Sequence, residues 1–189
     1  MGRAAIHVDN RRDELLAAAA RRFARGGFDA TSMRDIAGDV GMLAGSMYYH
    51  FPSKDDLIAA VYALGVAQIT DAVGAALARA GDRPWVRLEA ACAAHLEALL
   101  DASPFARVMI VDLSRCAPAL RRRLVASRDA YEAVFRGLVA ALPAGAPSDR
   151  RLLRLQLLGS LNAVPGWYRP GGATPADIAR AFVAALRGG

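Results

Sequence analysis

The sequence predicts an all-α protein of about nine helices, and three observations carry that expectation. Ala and Leu dominate an apolar share of 54%, while the β-branched residues that favour strands are sparse. Apolar side chains recur at spacings of three and four along most of the chain. Gly and Pro, together with Ser, Thr or Asp, divide the chain into segments joined by short loops. At 189 residues it can form one large domain or two small ones with a sizeable core.

The first nine residues read as a loose arm. A helix is expected from Asn10, because Leu15, Ala19 and Phe23 form one stripe that Leu16 and Ala20 widen, and Gly26-Gly27 ends it. Ser32 and Asp35 fit a capping box for a short helix buried through Met33, Ile36, Ala37 and Val40. Gly41 turns the chain into a second short helix, about Ala44 to His50, which Pro52 closes. Ser53 and Asp56 then cap a long helix to about Ala80, with Leu57, Val61, Leu64 and Ile69 on its buried face. Further helices are expected after Pro84, Ser103-Pro104, Cys116-Ala117-Pro118 and Ala146-Pro147-Ser148. The last starts at Thr174-Pro175-Ala176-Asp177.

The formal net charge is +6, which suits a polyanion. Residues 1–54 carry seven Arg and one Lys against six acidic residues, so only +2 of that charge lies there. Placement, not bulk charge, has to carry any argument for nucleic acid. Cys92 and Cys116 lack metal-type spacing and read as small hydrophobes, and no cofactor is implied. No uncharged run reaches the roughly 18 residues of a membrane span, and no apolar signal segment opens the chain. A cytoplasmic protein without a membrane partner is expected.

Residues 28–58 carry the functional signal. Two short helices on a tight glycine turn, with a longer helix on either side, suit the DNA major groove: the second enters it while the first crosses the backbone. On the second helix Ala44 and Gly45 are small enough for close approach to base edges. Ser46, Tyr48, Tyr49 and His50 offer donors. Lys54 adds a cation beside a helix N-terminus, a place that already attracts phosphate. Phe51 reads as core. Tyr48 and Tyr49 read either as core or as phosphate contacts, with one of them packing.

The stretch Gly27-Phe28-Asp29-Ala30-Thr31-Ser32-Met33-Arg34-Asp35-Ile36, continuing through Gly41-Met42-Leu43-Ala44-Gly45-Ser46-Met47-Tyr48-Tyr49-His50-Phe51 to Leu57, resembles the N-terminal domain of the TetR family of bacterial repressors. The resemblance implies a helix-turn-helix DNA-binding domain, placed at residues 1–52, and a helical ligand-binding and dimerisation domain at 53–189. It implies base contacts from Arg34, Ala44 and Gly45, and phosphate contacts from Thr31 or Ser32, Ser46, Tyr48, Tyr49, His50 and Lys54. Arg34 has two readings: a bidentate guanine contact, or an ion pair with Asp35 or Asp39. Leu43 departs from the family, which places Ser or Thr there; the departure removes a helix cap of about 1 kcal/mol.

For the rest of the chain the resemblance implies architecture. The helices at about 149–164 and 175–187 read as a homodimer seam, which would let two recognition helices meet a palindromic double-stranded operator. Leu43 and the segment Trp167–Gly172 are similar to a subset of the family that regulates lipid and steroid catabolism and is implied to answer to acyl-CoA thioesters. Candidate effector residues are Arg121, Arg128, Trp167 and Arg169. The run Arg121–Arg123 reads more readily as a solvated helix face. His95, alone among alanines, reads as a satisfied histidine. No catalytic pattern is present, so the expectation is a ligand-responsive transcriptional repressor and not an enzyme. A second reading is a binding protein of the same fold that has lost DNA reading.

Overall fold

The computed structural model describes residues 2–101, 103–109, 116–144 and 149–187, the side chains of 2–9 excepted. Nine α-helices and no strand occur among the described residues. The first is α1 (Gly2–Gly26), which absorbs the expected arm: no Pro and no internal Gly interrupts Arg3 to Arg25, so the helical register has nothing to stop it. Its end is where expected. The Gly27 N–H donates to the Phe23 carbonyl at 3.0 Å, and Gly27 takes a φ of 77° that a side chain would resist.

Then come α2 (Met33–Asp39), α3 (Ala44–His50) and α4 (Lys54–Arg79). Gly41, at φ 62°, makes the turn between α2 and α3. Val40 is the half-buried C-cap of α2 and not part of its buried side. On α4 the buried set is Leu57, Ile58, Val61, Tyr62, Val66, Ile69 and Val73. Leu64 is exposed, contrary to expectation, because it falls just outside the arc those positions trace at 100° per residue. By length and composition α4 could cross a membrane; here its apolar side chains line the protein core.

The remaining helices are α5 (Pro84–Leu100), α6 (Pro104–Val108), α7 (Pro118–Ala140), α8 (Arg150–Trp167) and α9 (Pro175–Arg187). Pro occupies the first turn of α5 and α6, where its missing N–H costs nothing. The expected start at Ala146-Pro147-Ser148 lies outside the described residues; Asp149 caps α8 by accepting from the Leu152 N–H at 2.9 Å. That helix runs past 164 and through Pro165, whose lost hydrogen bond falls in the last turn. The Tyr168 N–H then closes it onto the Val164 carbonyl at 2.9 Å. At α9, Thr174 and Asp177 form a reciprocal cap, with bonds of 3.1 and 3.2 Å between each side chain and the other's backbone N–H.

The chain divides into two compact units, Met1–Gly65 with Ser103–Val125, and Val66–Ala102 with Ala126–Gly189. In the first, α1 packs on α2 and on α6. Gly65 is the residue that admits α6, since a Cβ there would lie 2.8 Å from the Phe105 carbonyl oxygen. In the second, α5 packs against α8 and α9 through Leu88, Ala91, Leu96, Leu158, Ala179 and Val183.

That second unit buries one histidine and bonds it on both sides. His95 on α5 is 2% exposed; its Nδ1 accepts from the Tyr131 hydroxyl at 2.7 Å, and its Nε2 donates to Asn162 Oδ1 at 3.2 Å. The ring also stacks on Tyr131 at 5.8 Å. Both ring nitrogens are therefore satisfied in the neutral state, as the sequence suggests for a core histidine. Burial pulls its pKa down to about 4, against a smaller upward pull from Asn162. The unfolded chain takes up a proton near pH 6.5, and the folded chain does so only near 4. Stability is thus full above 6.5 and falls by about 3 kcal/mol as pH drops across that window. Denaturant unfolding between pH 6.5 and 5 should show this slope, and His95→Gln should abolish it. An equal slope in the variant would assign the effect to other groups.

Candidate nucleic-acid interface

The short helices are held by caps on one side and by core on the other. Ser32 and Asp35 form the expected capping box: Ser32 Oγ accepts from the Asp35 N–H at 3.1 Å, and the Asp35 carboxylate accepts from the Ser32 N–H at 3.1 Å. The Ser32 hydroxyl also donates to Asp35, and these bonds hold the Asp35 carboxyl below its ordinary pKa. Met33, Ile36, Ala37 and Met47 anchor the pair from beneath. The exposed surface above them contains Ser32, Arg34, Gly45, Ser46, Tyr48 and Tyr49, with Ala44 and His50 half-buried.

Arg34 makes no hydrogen bond or ion pair among the described residues. Both carboxylates that could hold it are engaged elsewhere. Asp35 caps α2. Asp39 accepts two bonds from Arg22, 2.7 Å from Nε and 2.6 Å from Nη2, and this fork depresses the Asp39 pKa. The guanidinium of Arg34 is left to solvent.

Tyr48 and Tyr49 are both outside, 51% and 82% exposed, which corrects the expectation that one of them packs. Met47 occupies the inward position on α3, and Phe51 fills the core with Arg12 over its ring at 5.1 Å. Tyr49 meets His50 edge to face at 5.5 Å. A Cβ added at Gly45 would meet nothing within 4 Å, so this part of α3 is open for close approach.

Thr31 and Lys54 are more constrained than the sequence suggests. Thr31 is buried, and its hydroxyl donates to the Gly27 carbonyl at 2.9 Å. Lys54 Nζ sits 4.2 Å from the Phe28 ring centre and donates to the Asp29 carbonyl at 3.4 Å. These contacts fix a cation beside the N-terminus of α4. Two residues on, Asp56 accepts from the Ser53 hydroxyl at 2.6 Å and from Arg123 of α7 at 2.9 Å. Both bonds lower its pKa, Ser53 more strongly. Sequence alone does not suggest Arg123 as a brace for α4, because 67 residues separate the partners.

The effector candidates are divided between the two units. Arg121 belongs to the first unit, whereas Arg128, Trp167 and Arg169 belong to the second. Arg128 faces Glu132 at 3.2 Å, and Glu132 also pairs with Arg154. Arg169 donates to the neighbouring Tyr168 carbonyl at 2.9 Å, and Trp167 is half exposed. A cavity of about 330 Å³ between α5 and α9 is lined instead by Trp85, Val86, Val183 and Arg187 among others.

Comparison with known proteins gives two family matches. Residues 15–61 match the model described as bacterial regulatory proteins, tetR family. Residues 81–189 match the tetracyclin repressor-like C-terminal domain. The chain is 50% identical over 58 residues to the HTH-type transcriptional repressor KstR2 of Mycobacterium tuberculosis, a stretch spanning 31% of this chain and 29% of that repressor. It is also similar to the solved structure of the ketosteroid transcriptional regulator KstR2 of that organism, with 25% identity, a TM-score of 0.73, and coverage of 94% of this chain and 93% of that one. A TetR family transcriptional regulator, PfmR from Thermus thermophilus, gives 28% identity and a TM-score of 0.78 over 94% of this chain and 96% of its own.

Leu43 stands at the N-cap of α3 with φ −67° and ψ 138°, makes no side-chain cap bond, and is 80% exposed. The backbone is already in the capping conformation and only the side chain lacks an oxygen. Leu43→Ser should therefore stabilise the chain by about 1 kcal/mol, read as a rise in melting temperature. An unchanged or lower melting temperature would mean that Leu43 has a packing role.

Proposed function

Because the chain belongs to the TetR family of bacterial regulators, we propose that it is a transcriptional repressor that binds a palindromic operator as a homodimer and leaves it when a small effector binds. The observation that carries this reading is the outward set on α2 and α3: an unpaired Arg34, hydroxyls at Ser46, Tyr48 and Tyr49, and open backbone at Gly45. Residues 1–52 serve as the DNA-binding domain and 53–189 as the ligand-binding and dimerisation domain. Phosphate contacts fall to Ser32, Ser46, Tyr48, Tyr49, His50 and the pinned Lys54, and base contacts to Arg34, Ala44 and Gly45. Thr31 contributes through its packing on Gly27. The repressor acts in the cytoplasm, where its DNA lies.

Helices α8 and α9 form the dimer seam. On α8, Leu152, Leu155, Gly159, Ala163 and Gly166 are all exposed and fall on one stripe, so a second copy can pack closely there. The effector is an acyl-CoA thioester, as the likeness of Leu43 and Trp167–Gly172 to the lipid- and steroid-catabolism subset implies. It releases DNA only to the extent that it binds the two states of the dimer with different affinity. A rival reading is a binding protein without an operator, and the uncapped Leu43 is the feature that favours it.

A mobility-shift assay with the DNA upstream of the chain's own gene separates the two. Two chains per duplex and a salt-sensitive shift are expected, and Arg34→Ala should relax preference at one base pair by about 1–3 kcal/mol. No shift at any upstream palindrome would leave the rival reading standing. For the effector, an acyl-CoA should raise the melting temperature and dissociate the complex, while free CoA should do so poorly. Equal responses to unrelated dyes would point to a broad-specificity pocket.

A further inference from the structure

Three arginines near the end of α1 border an opening that the recognition helix does not use. A cavity of about 410 Å³ is lined by Arg21, Arg22, Arg25, Ala30, Thr31 and Asp39, with Gly26 at its edge. Arg22 is held by Asp39 in the fork described above. Arg21 and Arg25, one turn apart, are exposed and make no hydrogen bond or ion pair among the described residues. Three guanidinium groups thus face one carboxylate, and that carboxylate is already neutralised. A cation in the last turn of a helix compensates the helix dipole, which accounts for Arg25; it does not account for Arg21 or for an opening between them.

We propose that this opening holds a phosphodiester of the DNA backbone outside the stretch read by α3, with Arg21 and Arg25 as its cationic walls. The inference rests on the DNA-binding reading above. Its place in the fold supports a backbone phosphate over a free anion. The lining residues Ala30 and Thr31 lead directly into the Ser32 cap of α2, and the first helix of a helix-turn-helix is the one that crosses the backbone. Gly26, which has no side chain, and the small Ala30 leave that approach clear. Guanidinium groups suit phosphate because their fork donates two bonds at once. The contact positions the protein and carries no sequence information.

The test uses the full chain and two labelled duplexes of equal length, one from the region upstream of its gene and one of random sequence, titrated with salt by fluorescence anisotropy. For R21A/R25A, the slope of log affinity against log salt should become shallower by about one for each phosphate released, on both duplexes. The preference between the duplexes should be unchanged. R21K/R25K should restore most of the slope, and the single variant R21A should give a smaller loss in the same direction, which guards against a double variant that folds poorly. A wild-type chain that binds both duplexes beside an R21A/R25A variant with the same slope overturns the site while leaving the DNA-binding reading intact. A change in preference between the duplexes also overturns it, because that would make the contact a base contact. A wild-type chain that binds neither duplex overturns the DNA-binding reading and this site with it.

Discussion

Two helices of seven residues each are too short to persist in water, since a helix needs roughly twice that length before its own hydrogen bonds sustain it. Everything at the candidate interface depends on the burial that compensates. Met33, Ile36 and Ala37 from α2, Met47 from α3 and Phe51 just beyond it are all buried. This consumes the inward face of both helices and leaves the outward face free of any packing duty. Short helices also make the turn at Gly41 decisive, because a side chain at φ 62° would shift both at once.

Electrostatics then orders that outward face. Three acids near it have fixed partners: Asp35 the Ser32 cap, Asp39 the Arg22 fork, and Asp56 both Ser53 and Arg123. These are exposed or partly exposed pairs and contribute modestly to stability. Their larger effect is on what remains. With those acids engaged, Arg21, Arg25 and Arg34 keep unpaired positive charge within residues 1–54, a stretch whose net charge is only +2. The distribution of partners, and not an excess of basic residues, gives the surface its character.

The second unit has a different plan. Its core is largely aliphatic, with Cys92, Phe135, Tyr131 and His95 as the exceptions, and each hydrogen-bonding atom of the imidazole is matched, by Tyr131 inside and by Asn162 at the surface. A buried polar group that is fully satisfied fixes the relation of the elements that supply it, here α5, α7 and α8. The exposed stripe of α8 is built of Leu152, Leu155, Gly159, Ala163 and Gly166.

The sequence by itself determined the helix count, the caps at Ser32, Ser53 and Thr174, the ends of α2 and α3 within a residue, and the missing cap at Leu43. These follow from neighbours three or four positions apart, so local rules suffice. It misread residues 2–9, where absence of a periodic stripe suggested an arm although nothing stops the helix. It also misplaced Leu64 and the packing of Tyr48 or Tyr49, because a few degrees of helix rotation decide which side of an apolar arc meets the core. Only the tertiary structure decided that Arg22 takes Asp39 and so leaves Arg34 unpaired, and that Arg123 braces Asp56. Those outcomes join residues far apart in the chain, and no spacing rule reaches across a fold.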